Sequence, residues 1–81
     1  LTNSLIIAND GANNIVRWVL GATQWTLVAG DASGTSGMTP FLLSHPVDVL
    51  MDSMRNVYVT DENNQRIQLF LPNQLNGSTI I

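Results

Sequence analysis

Ser44, His45 and Asp48 are the residue types of a hydrolytic triad, crowded into one short stretch. Triad chemistry places the base between nucleophile and orienting acid, so its members converge from separated segments. Adjacent side chains on an extended chain point to opposite faces. Ser44 and His45 are therefore a poor proton relay, and no catalytic residue is expected. Asp61-Glu62-Asn63-Asn64-Gln65 offers carboxylate and amide oxygens of the kind calcium takes. The calcium loop needs glycine at its sixth position and glutamate at its twelfth, and those places hold Arg66 and Pro72. Gly30–Gly37, reading GDASGTSG, has the glycines of a phosphate loop without its Lys-Ser/Thr ending or following helix. It reads instead as a turn. Asn76-Gly77-Ser78 satisfies the glycosylation sequon, although Asn-Gly is equally a favoured hairpin turn. Trp18 and Trp25 are expected as packing residues rather than stacking platforms. No metal site and no cofactor follow from these residues.

The elements that must carry these residues read as short strands. Leu5–Ala8 is β-branched-rich and ends in the turn formers Asn9, Asp10, Gly11, Asn13 and Asn14. Ile15–Leu20 and Trp25–Ala29 follow as strands, with Gly21–Gln24 as a turn between them. Met38–His45 is a crossover, with Phe41, Leu42 and Leu43 as expected anchors. Pro46 opens a strand running to Met51, at a position where a missing ladder donor is tolerated. Val57–Asp61, Arg66–Leu71 and Ser78–Ile81 complete the series. Turn signals recur about every 8–12 residues and no helical period appears, so the chain is expected to be all-β and antiparallel.

A second regularity is a repeat. An offset of 52 residues sets Leu5 against Val57, Asn9 against Asp61, Ile15 against Ile67 and Trp18 against Phe70, without a gap. Repeats on this scale signal stacked or radially arranged units. A four-stranded antiparallel sheet repeated radially is a propeller blade. Val57–Val59 and Leu5–Ile7 are apolar on both pleat faces, as a strand between two blades requires. Residues 1–29 are accordingly expected as a partial blade of three strands, 30–45 as an inter-blade loop and crossover, and 46–81 as a four-stranded blade.

Composition narrows the partners. The 81 residues are 44% hydrophobic and 11% charged, too little charge to cover a free surface, so packing against neighbours is expected. There is no lysine, and the net charge of −3 disfavours nucleic acid, an RNA-binding propeller included. No apolar run approaches the roughly 20 residues of a membrane helix. The absence of cysteine rules out disulfides and thiol chemistry and leaves the compartment, extracellular or cytoplasmic, open. The start at Leu1 and the end within an apolar run are read as marks of a piece of a longer protein.

Leu43–Phe70, reading LSHPVDVLMDSMRNVYVTDENNQRIQLF, resembles the NHL repeat. The positions that carry the likeness are Leu43, Pro46, Asp52, Asn56, Tyr58, Asp61, Asn64, Arg66, Ile67 and Phe70. In the first unit Ile15 and Trp18 keep the pattern, whereas Asn9 and Asn14 stand where the family has Asp and Arg. The resemblance implies blades of a β-propeller, an open partial propeller rather than a ring closed by one chain. It implies a non-catalytic protein-interaction scaffold, contacting a protein partner or neighbouring blades of the same propeller. The alternative it carries is a segment of a metal-dependent propeller lyase or hydrolase whose site is built by other blades. Asp61 and Arg66 are expected as a brace for the turn, and the isolated chain is expected either to self-associate or to fold poorly.

Overall fold

The computed structural model describes residues 3–81. The first two residues of the expected first blade therefore lie outside the described residues. Seven strands form two sheets: β1 (Ser4–Asn9), β2 (Asn14–Val19), β3 (Thr26–Gly30), β4 (Pro46–Met51), β5 (Val57–Asp61), β6 (Arg66–Phe70) and β7 (Ser78–Thr79). The first sheet runs β1-β2-β3 and the second β4-β5-β6-β7, each strand antiparallel to the one before it. The molecule is all-β with two open antiparallel sheets, a partial β-propeller.

The internal repeat is preserved in register as well as in sequence. Leu5 pairs with Trp18 and Val57 with Phe70, while Asn9 pairs with Asn14 and Asp61 with Arg66. Each hairpin is closed by a single 3-10 turn, Asp10–Ala12 in one and Glu62–Asn64 in the other. Both turns end on a left-handed residue, Asn13 at φ 57° and Gln65 at φ 51°. Asn accepts that conformation more readily than most side chains. By the same offset β1, β2 and β3 match β5, β6 and β7. The first sheet has no counterpart of β4, so β1 is an edge.

The core lies between the sheets. Ile15, Ala29, Leu43, Val57, Val59 and Phe70 form one buried cluster, with Ile6, Ala8, Val28, Val49 and Met51 packed around it. Phe70 is the largest fully buried side chain. Its ring lies so close to Gly77 that an added Cβ there would sit 2.7 Å from Cε2. The Gly77 amide meanwhile donates to the Pro40 carbonyl at 2.9 Å, which ties the last loop to the crossover.

Several expectations change. Leu43 alone of the three crossover anchors is fully buried; Phe41 is exposed, because the loop is held by polar contacts described below. Trp25 lies outside β3 and is exposed, while Trp18 is half-buried beside Leu5. On β6 the pleat face carrying Gln68 and Phe70 is buried, and the face with Ile67 and Leu69 is partly exposed. Gln68 is buried because β7 covers it, and the Thr79 hydroxyl meets its Oε1. The final strand is confined to Ser78–Thr79, although the Ile80 amide still donates to the Ile67 carbonyl at 2.9 Å.

Removing a buried aromatic ring costs about 3–5 kcal/mol. Phe70→Ala is therefore expected to lower the unfolding free energy by that amount, enough to abolish a cooperative urea transition in a domain of this size.

Candidate functional site

Asp61 ends β5 with its side chain fully buried. Oδ1 accepts the Ser44 amide at 2.7 Å, and Oδ2 accepts Asn64 Nδ2 at 2.7 Å and Arg66 Nε at 2.8 Å. Arg66 also donates to the crossover: Nη1 to the Met38 carbonyl at 3.0 Å, and Nη2 to those of Thr39 at 3.0 Å and Leu42 at 2.7 Å. Asn64 Nδ2 also reaches the Gly37 carbonyl at 2.8 Å. A buried ion pair repays its desolvation only when its other donors and acceptors are satisfied, and here they are. From the turn, Asp61 takes the Asn64 side-chain amide and no backbone amide. Asn63 N donates instead to the Ser44 carbonyl at 3.1 Å. The cluster joins three hairpin residues, Asp61, Asn64 and Arg66, to Gly37, Met38, Thr39, Leu42 and Ser44 of the crossover.

The first sheet builds the same junction without charge. Asn14 is buried; its Nδ2 donates to the Asp31 carbonyl at 3.0 Å, and its Oδ1 has no partner. Asn13 donates to the Gly34 carbonyl at 3.0 Å and accepts the His45 amide at 2.9 Å. That bond links the first hairpin turn to the residue before β4. His45 is held at φ 55°, a costly conformation ahead of a proline. Pro46, buried, then starts β4 opposite Asp61, with a register shift before Asp48 that absorbs the missing ladder donor.

The chemical candidates are not assembled for catalysis. Ser44 Oγ accepts Asn63 Nδ2 at 3.3 Å, His45 Nε2 stands 3.4 Å from Glu62 Oε1, and Asp48 Oδ1 accepts the Val49 amide at 2.8 Å. The three side chains thus face three different partners. Among the described residues no group of three or more His, Asp or Glu is placed to hold a metal. The Gly-rich loop spends the amides of Ser33, Gly34 and Thr35 on its own Asp31. Asp31 accepts the Ser33 hydroxyl and the amides of Ser33 and Thr35, both at 3.2 Å. Those bonds, the Ser33 hydroxyl foremost, hold its carboxyl below the ordinary value.

Asp52 organises the opposite end of the second sheet. Oδ1 accepts the amides of Met54 and Asn56 at 2.9 Å, and Oδ2 accepts Asn56 Nδ2 at 3.0 Å and the Tyr58 hydroxyl at 3.2 Å. The Asn56 side-chain bond, then its backbone bond, lowers the Asp52 pKa against an opposing effect of burial. Tyr58 is raised, first by its bond to Asp52 and then by burial and the carboxylate charge. Ile67 and Ile15 occupy equivalent strand positions, but Ile15 is fully buried and Ile67 only partly. Asn76 is exposed in the loop before β7. Sequence reasoning missed Asn13, Gly37 and the Ser44 amide, and only the polar turn residues hinted at them.

A family model described as the NHL repeat matches residues 43–70. No curated protein and no solved structure matches the chain.

Two outcomes follow from this geometry. Arg66→Ala strands a buried carboxylate and is expected to cost about 3–5 kcal/mol, while the double variant Asp61→Leu/Arg66→Leu costs less than Arg66→Ala alone; denaturation of both variants checks this. For Asp52, a lowered folded-state pKa means stability that is complete above the ordinary value of 3.8 and lost as pH falls through the folded-state value. Wild type should therefore exceed Asp52→Asn in thermal stability above about pH 4, and the gap should close in acid.

Proposed function

Residues 43–70 are an NHL repeat, and on that premise we propose that the chain is a wall segment of an NHL-type β-propeller whose work is to scaffold protein contacts. Residues 1–29 serve as a partial blade, 30–45 as the inter-blade connection and 46–81 as a whole blade. Propellers place ligands on faces built by several blades, so these two units contribute surface rather than a self-contained site.

One comparison carries this reading. Val57 and Val59 are 4% and 0% exposed, yet their equivalents Leu5 and Ile7 are 56% and 40% exposed. Val57 and Val59 lie on the sheet face that packs against the first sheet, and the equivalent face of the first sheet, carrying Leu5 and Ile7, is bare. An exposed apolar sheet face favours a protein neighbour, either another blade of the same propeller or a separate partner. The hairpin turns at Asp10–Ala12 and Glu62–Asn64 and the turn at Asp52–Asn56 supply the polar loops of the two ends. In a secretory setting the exposed Asn76 is the expected glycan acceptor.

Sedimentation velocity on the 81-residue chain tests the reading. The expected result is concentration-dependent association that Leu5→Ser/Ile7→Ser weakens. A monodisperse monomer that melts cooperatively overturns it.

A further inference from the structure

The sequence holds three cations, Arg17, Arg55 and Arg66. Arg66 is consumed by Asp61 at 2.8 Å. The other two belong to different sheets, Arg17 to β2 and Arg55 to the β4–β5 turn, yet both line one open cleft between the sheets. The cleft measures about 500 Å³, within the range of small-molecule sites. Its walls are mainly apolar, with Leu27 and Val28 on the first sheet facing Phe70, Leu71 and Leu75 on the second.

The cations of this cleft carry no ion pair among the described residues. Arg17 Nε donates to Ser4 Oγ at 3.1 Å. Asp52 is the one acid among the described lining residues, and both its oxygens are already taken by Met54, Asn56 and Tyr58. Two guanidiniums against one carboxylate leave a single uncompensated positive charge. Arg55 is fixed from below, since its backbone sits at φ 67° and its amide donates to the Asp52 carbonyl at 3.0 Å. Guanidinium forks suit carboxylates, and an apolar wall with one spare positive charge suits a monoanion with a greasy body.

We propose that the inter-sheet cleft binds a small amphipathic carboxylate, with its apolar body along Leu27, Val28 and Phe70 and its carboxylate on Arg17 and Arg55. The scaffold function does not require this site, and the site does not require self-association. A chain that sediments as a monomer and still binds such a ligand rejects the first reading and keeps the second.

The test is calorimetric titration of the full chain with decanoate, with decanol as the uncharged comparison. Saturable one-to-one decanoate binding is expected, about tenfold or more tighter than decanol, the scale of one charge-assisted hydrogen bond. Arg55→Gln, a substitution in an exposed turn, should weaken decanoate by about tenfold and leave decanol and the far-ultraviolet circular dichroism unchanged. Arg17→Gln should do the same. Equal affinity for the two ligands, no saturation by about 1 mM, or undiminished decanoate binding in Arg55→Gln overturns the proposal.

Discussion

The ion pair between Asp61 and Arg66 holds the crossover in place, and much of the junction depends on it. A carboxylate with no solvent exposure is tolerable only because three donors converge on it, and a guanidinium beside it is tolerable only because three carbonyls take three of its other N–H groups. Those carbonyls come from a segment with no regular structure of its own. The pair therefore converts an irregular connection into a fixed one. Leu43 is pinned in the core as a consequence, while Phe41, a larger apolar residue two positions earlier, stays outside. Polar geometry, rather than hydrophobicity alone, decides which crossover residue is buried.

The first sheet solves the same problem with amides. Asn13 and Asn14 reach the loop after β3 much as Asn64 and Arg66 reach the crossover, but at shorter range and without charge. The substitution leaves Asn14 Oδ1 buried and unpaired, a cost the charged version avoids. Asn13 compensates in another way, by holding the backbone of His45 and so fixing where β4 begins. The two blades are coupled through that bond as well as through their shared core.

Much of the architecture was legible in the chain. The offset of 52 residues reappears as matched strand register, matched 3-10 turns and matched left-handed residues, because each is a local consequence of the same turn chemistry. Strand periodicity sets Ile67 and Leu69 on one face of β6 and Gln68 and Phe70 on the other without saying which is buried; the buried face is that of Gln68 and Phe70. The cleft with Arg17 and Arg55 had no signature at all. Its members lie in different sheets and meet only when the blades stack.

The sequence by itself determined the strand order, the antiparallel class, the repeat and the residues able to brace each turn, since all of these rest on near-neighbour chemistry. Only the tertiary structure decided which carbonyls Arg66 would hold, which of two equivalent aliphatic pairs would be covered, and which cations would face a common cavity. Those outcomes depend on how one sheet lies against the next, and burial between sheets is set by contacts that sequence spacing does not record.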